Sequence, residues 1–181
     1  MTPPWRREVS TMDSKTRTYT WSTVAAVALL AIGVGCKDSS GPGDGLFPAL
    51  PSDLLAAFCA RGEAVVGQTK SGTITDDDCD AADIDPADSS FYEIWRVRVT
   101  ESRSVTFDAN SPFDNYLTVV RLDSYTQSSA NLTLIGENDD RTPGSDLNAL
   151  VTVTLNPDTD YFVSVSGYDY DETGPYTLQI R

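Results

Sequence analysis

The chain has 181 residues, enough for one good-sized domain with a leader and a linker, and too few for two large cores. Its formal net charge is −14 and it contains no histidine, which excludes Ser-His-Asp and Cys-His machinery and imidazole-based zinc sites; three cysteines are too few for a four-thiolate site. An acid excess of this size repels nucleic acid and anionic lipid, and leaves carboxylate chemistry, cation binding or plain solubility as the roles of the charge.

In chain order, the first element is "TWSTVAAVALLAIGVG", Thr20 to Gly35, uncharged and apolar or small throughout. At about fifteen residues it is shorter than the roughly 20 that a bilayer-spanning helix needs. Bases precede it (Arg6, Arg7, Lys15 and Arg17) and small residues end it, the layout of a bacterial export signal. Met12 offers a shorter basic start, "MDSKTRTYT", as an alternative to Met1. Arg6-Arg7 hints at twin-arginine export, but "WRREVST" lacks the usual context. The run stops at Cys36 and gives way to "KDSSGPGDG". This junction resembles a bacterial lipoprotein signal, in which a small residue precedes a cysteine that becomes the lipidated N-terminus. Gly35 fits that pattern, and Gly33 departs from its usual leucine. The expectation is a signal peptide over 1–35, lipidation at Cys36 and a flexible tether over 36–50. Lys37 after the cysteine favours the outer membrane or cell surface, by analogy with lipoprotein sorting. The alternative is ordinary cleavage after "GVG", which releases a secreted, soluble protein. Four of the 13 bases and two of the 27 acids precede Cys36, so the chain from Cys36 on carries nine bases against 25 acids, a net of −16.

With Cys36 lipidated, Cys59 and Cys79 remain, an even number in a disulfide-permissive compartment. A bridge between them closes a loop of about 20 residues and is worth roughly 3 kcal/mol on the chain-entropy model. The alternative is two unrelated buried thiols. "PSDLLAAFCARG", 51–62, reads as one short helix: Pro51 with Ser52 or Asp53 starts it, Leu54, Leu55 and Phe58 form its stripe, and Gly62 stops it.

From Ala64 on, the period of the pattern is two. "AVVGQTKSGTIT" reads as one or two short strands bent at Gly67 and Gly72, and "DDDCDAADIDPADSS" as an acidic loop. "FYEIWRVRVT" sets Trp95, Val97 and Val99 against Tyr92, Ile94, Arg96 and Arg98. Val105 and Phe107 point inward from "RSVTFDA"; "NYLTVVRL" is a largely apolar strand and "NLTLIG" a short one. Ala149, Val151, Val153 and Leu155 alternate with Leu150, Thr152 and Thr154; Tyr161, Val163 and Val165 share a face, as do Tyr176, Leu178 and Ile180. "LNPDTDYF" is a turn set by Pro157 and Asp158, and Gly167 and Gly174 flank the last hairpin, where positive φ is expected. Many short strands at turn-marked intervals, with no helical pattern between them, argue for an antiparallel sandwich or barrel.

The ordered set "GTITDDDC", "SSFYEIWRVRVTESRSVTFDA", "FDNYLTVVRL" and "IGENDDRTPGSDLNALVTVTLNPDTDYFVSVSGYDYDETGPYTLQI" resembles the bacterial pre-peptidase C-terminal (PPC) domain over 67–181. Trp95, Asp114, Leu117, Asp139, Asp140, Leu155, Tyr161, Val163, Val165, Gly167, Gly174, Tyr176 and Leu178 carry the resemblance. It implies an all-β, jelly-roll-like antiparallel sandwich of about eight strands, here over 63–181, that is non-catalytic. Such domains are usually appended to secreted peptidases and other exported enzymes. This chain departs from that pattern in having no enzyme attached.

Calcium is the leading ligand candidate. Ca²⁺ takes six to eight oxygens, and related collagen-binding modules hold it with loop acids. Asp114, Asn138, Asp139, Asp140 and Asp146 are the candidate ligands, with Asn115, Glu137 and the acids of "DDDCDAADID" as further supply. No EF-hand spacing is present, and Asp and Asn are also ordinary turn residues. A carboxylate-pair hydrolase is a second class, which needs one acid desolvated in a cleft. A carbohydrate-binding module is a third, with Tyr92, Tyr116, Tyr125, Tyr168 and Tyr170 as the platform. The overall expectation is a binding or accessory lipoprotein of the cell envelope. The membrane is met through the lipid anchor, the partner is a protein or a glycan, nucleic acid is excluded, and Ca²⁺ is the one candidate cofactor.

Overall fold

The computed structural model describes residues 46–81, 88–126, 130–170 and 172–181. Cys36, the export signal and most of the tether fall outside them, as do Asp83, Asp85 and Pro86 of the acidic loop. Among the described residues no helix is long and apolar enough to cross a membrane.

Alternating β-branched and aromatic residues build a two-sheet sandwich. The elements run α1 (Ser52–Ala57), β1 (Ala60–Ala64), β2 (Thr69–Ile74), β3 (Cys79–Asp80), β4 (Phe91–Val97), β5 (Arg103–Asn110), β6 (Asn115–Tyr125), β7 (Ala130–Asn138), β8 (Leu150–Leu155), β9 (Tyr161–Gly167) and β10 (Gly174–Ile180). One sheet has the order β1-β4-β9-β6-β7, with β3 also on β4; the other has the order β2-β10-β5-β8. Every pairing is antiparallel except β1 with β4. The eight antiparallel strands of the expected sandwich are thus β2 and β4 to β10. β1 and the two-residue β3 are additions along the free edge of β4.

The inward residues are those the alternation marks. Trp95, Val97, Val99, Val105, Phe107, Ala149, Val151, Leu155, Tyr161, Val163, Val165, Tyr176, Leu178 and Ile180 all join one buried cluster, with Val153 packed on it. Full burial of each large member is worth about 1.5–3 kcal/mol.

The outer face of β4 is buried as well. Arg96 is 2% exposed and Phe162, beside it on β9, 1%. Residues 46–58 form a strap across this face. Arg96 donates to Pro48 O (2.7 Å) and lies over the Phe47 ring, and Arg98 donates to Leu46 O (2.6 Å). Phe58 stacks obliquely on Phe162, centroids 4.8 Å apart. The short helix is part of this strap, which supplies the tertiary packing that six residues need to stay helical.

Several local expectations are corrected. The helix ends at Ala57, not at Gly62, because Phe58 N–H and Cys59 N–H close its last turn and Cys59 takes a positive φ of 48°. Ala60–Gly62 then run parallel to β4, so the sheet begins at Ala60 rather than at 63. Gly67 does sit in a turn, but Gly72 is inside β2, opposite Tyr176, and marks no bend. "NLTLIG" extends to the nine residues of β7. Gly174 has the expected positive φ (141°), whereas Gly167 does not. Gly167 is needed for space: a Cβ there would lie 2.7 Å from the Glu172 side chain. Asp158 adopts φ 57° in its turn. Cys59 and Cys79 are joined as a disulfide, Cα atoms 6.1 Å apart, tying the strap to β3.

Candidate functional site

Three connections meet at one end of the sandwich: β5–β6, β7–β8 and the β9–β10 hairpin. Asn115, fully buried, latches two of them. Its Oδ1 accepts from Ala149 N–H (2.8 Å), and its Nδ2 donates to Ser111 Oγ (2.7 Å) and Asn148 Oδ1 (2.9 Å). The third is drawn in by Tyr168 N–H on Asp114 O (2.9 Å). The Glu172 carboxylate spans the hairpin, accepting from Asp114 N–H (3.2 Å), Tyr168 N–H (2.9 Å) and Asp169 N–H (3.0 Å).

Asp114 is the unusual group here. Its Oδ1 is buried with no hydrogen-bond partner. Desolvation, together with the charges of Glu172, Asp140, Asp139 and Asp169, pushes its pKa from 3.8 up to about 6. Asp139 Oδ1 accepts from Asp140 N–H (2.8 Å) and Asp140 Oδ2 from Gly144 N–H (2.9 Å), which orders the acidic turn beside it. This corner gathers negative charge faster than hydrogen bonds neutralise it. Either a proton or a hard cation relieves it.

The five candidate ligands do not assemble as one set. Asp146 turns to Arg141 (2.6 Å) and to Asn148 N–H and Nδ2 (3.2 and 3.1 Å). Those Asn148 bonds, then Arg141, hold its pKa below the usual carboxylate value. Arg141 also bonds Asp108, whose other oxygen takes Arg181 at 2.7 Å. The Asn138 amide donates to Asp140 O (2.7 Å) and Leu150 O (3.0 Å), and Asn115 is spent on the latch. Among the described residues no three His, Cys, Asp or Glu side chains already converge on a metal position. Asp114, Asp139 and Asp140 are the members of the set that share a corner. Their donor chemistry, oxygen only, and the orphaned Asp114 oxygen fit a hard cation. Glu172 and Asp169 complete the corner and escaped the sequence reading, since nothing in a hairpin sequence shows which connection its tip will meet.

A second buried acid, Glu93, lies between the sheets at 1% exposure. Its Oε2 accepts from Tyr176 OH (2.7 Å), which in turn accepts from Trp95 Nε1 (2.8 Å), and Arg61 Nε approaches Oε1 to 3.2 Å. Burial raises its pKa, against the Tyr176 bond and the Arg61 charge. This is a desolvated carboxyl of the type a hydrolase uses, but it lies between the sheets and is covered by Tyr176 and Arg61. The five tyrosines form no single platform either. Tyr92 is buried, Tyr116 and Tyr168 lie at the Asp114 end with centroids 6.4 Å apart, exposed Tyr170 follows in the same hairpin, and Tyr125 is at the opposite end.

Compared with known proteins, the chain matches no family model and no curated protein. Its fold is similar to several solved structures. One is the pre-peptidase C-terminal domain of a collagenase from Bacillus anthracis, at 14% identity and TM-score 0.44, covering 67% of this chain and 94% of that one. Another is CorA, a surface-associated copper-binding protein of Methylomicrobium album BG8, at 9% identity and TM-score 0.45, covering 65% and 96%. A third is PliG of Aeromonas hydrophila, a periplasmic inhibitor of g-type lysozyme, at 12% identity and TM-score 0.40, covering 67% and 99%.

Proposed function

We propose that the chain is an exported, non-catalytic accessory module of the bacterial cell envelope, a PPC-like sandwich anchored through lipidated Cys36 and stabilised by a hard cation, Ca²⁺, at the Asp114 corner. The observation that carries the cation reading is the buried, unpartnered Asp114 oxygen amid four further carboxylates. Asp114, Asp139 and Asp140 would hold the ion, which would supply the positive charge that this corner lacks. An acid excess of −16 from Cys36 on suits an extracytoplasmic role in which cations are plentiful and nucleic acid is not a partner. The role of the module is contact with a protein or glycan partner. The reading that it is not an enzyme is supported by Glu93, the most deeply buried carboxyl among the described residues, lying between the sheets at 1% exposure.

Thermal melts of the full chain in excess Ca²⁺ and in EDTA test the cation. At a hundred times its Kd, a ligand adds about 2.7 kcal/mol, which for this size raises Tm by about ten degrees. Superimposable melts would leave the acids as turn and solubility residues. Globomycin sensitivity of processing, or loss of membrane fractionation in Cys36→Ala, tests the anchor separately.

A further inference from the structure

At the end of the sandwich opposite Asp114, a cleft of about 490 Å³ opens between the last residues of β6 and the β8–β9 turn. Arg121, Asp123, Tyr125, Asn156, Asp158 and Asp160 supply its polar and aromatic lining. The two ends are opposed by register: Asn115 pairs with Gly167, and Arg121 with Tyr161.

Charge sets this cleft apart from the acidic corner. Arg121 Nε lies 2.6 Å from Asp123 Oδ1. Asp160, 11% exposed, takes Arg96 Nε at 2.7 Å and Arg98 Nε at 3.3 Å. Its carboxylate is therefore held rigid by two arginines that also clamp the strap. A molecule of net charge −14 thus presents here a wall of matched ion pairs, with Asp158 adding one charge at the rim. The β6–β7 register slips by one residue between Leu122 and Ser124, so Asp123 is the extra residue of a bulge, a device that re-aims side chains at sheet ends. Tyr125 stays 44% exposed beside it, while Leu147 and Tyr168, two more of the exposed large apolar side chains, belong to the Asp114 end.

The lining discriminates among ligand classes. With its arginines already paired, the wall offers phosphate and other anions no free positive charge. A largely polar surface offers an apolar ligand little beyond one ring. Paired arginines remove the net field that would draw a free cation. Fixed donors and acceptors side by side, with one exposed ring, match vicinal hydroxyls and the C–H face of a sugar. We infer that this cleft is a binding site for a neutral saccharide. It stands independently of the cation at the Asp114 corner.

Titration calorimetry of the full chain against chito-, cello- and manno-oligosaccharides, with oligogalacturonate and inorganic phosphate as charged probes, tests the inference. The expected result is saturable binding of at least one neutral oligosaccharide, unchanged in EDTA. Tyr125→Ala weakens it about tenfold or more, Tyr125→Phe retains it, Arg121→Gln weakens it, and Tyr170→Ala at the far end leaves it within about twofold. Melts confirm that each variant is folded. Absence of neutral-saccharide binding at millimolar concentration, preference for a charged probe, or indifference to Tyr125→Ala overturns it.

Discussion

Asp114→Asn removes one charge and keeps the shape of the side chain. In a metal-free protein at pH 8, the wild-type carboxylate is ionised in a corner that disfavours ionisation, so the substitution is expected to stabilise the fold. A pKa raised from 3.8 to about 6 corresponds to about 3 kcal/mol if none of it is screened. Asp114 is only partly buried, and solvent screening brings the expected gain down to about 1–2 kcal/mol, a Tm rise of some 2–8 °C. The sign follows from proton linkage. The folded state binds the proton more tightly than the unfolded chain, so this group's contribution to stability is complete below pH 3.8 and is lost as pH rises through 6. Asparagine mimics the protonated acid, and the two proteins should therefore converge near pH 4. Urea melts followed by circular dichroism, in EDTA, at pH 4 and pH 8, measure both points. A destabilised variant at pH 8, or an equal gain at both pH values, would refute the electrostatic account of this corner. On the proposed Ca²⁺ reading, excess Ca²⁺ is expected to reverse the order, because only the wild type keeps Asp114 as a ligand.

Gly72→Ala places a Cβ 2.2 Å from Glu93 Oε2 and 2.5 Å from the Tyr176 ring, so it should destabilise by about 1–3 kcal/mol in equilibrium unfolding; a neutral result would mean that the two sheets part there without strain. Replacing Cys59 and Cys79 together by serine should cost about 3 kcal/mol by the same measurement, against an unreduced control, and equal stabilities would show that the strap needs no staple. Arg96→Ala takes from Asp160 the closer of its two arginines and from half-exposed Glu63 its cation, and frees the strap carbonyl, which should cost about 1–3 kcal/mol and speed amide exchange in residues 46–50; unchanged exchange there would show that Arg96 does not hold the strap.

Much of the inner face of the sandwich was legible in the sequence, because a period of two sorts each side chain to one face without knowledge of its partner; Ile74, Leu117 and Val119, in segments read without a face, join the core as well. Every marked residue from Trp95 to Ile180 reached the core, Val153 as a half-buried member. What escaped depends on contacts between distant segments. Arg96 and Arg98 read as an ordinary polar face, and only the return of residues 46–58 across that face buries them. The helix stop was misplaced because Gly62 looks like a terminator, whereas the break comes at Cys59, whose backbone the disulfide fixes. At the acidic end, the sequence marks Asp114, Asp139 and Asp140 because turn acids are visible one by one. Asp146 instead turns to an arginine five residues away, at a spacing that means nothing in an irregular loop.

The two ends of the sandwich divide the electrostatics of the chain. Six arginines (61, 96, 98, 121, 141 and 181) are held in ion pairs, mostly with partners far along the sequence. Their charge is therefore spent on assembling the fold, and among the described residues the buried Asp114 oxygen is left without such a partner. At the opposite end, Asp160 ties the strap, β4 and the β8–β9 turn into one rigid wall through Arg96 and Arg98. Chain entering at Leu46 does so beside that wall, since Arg98 holds Leu46 O.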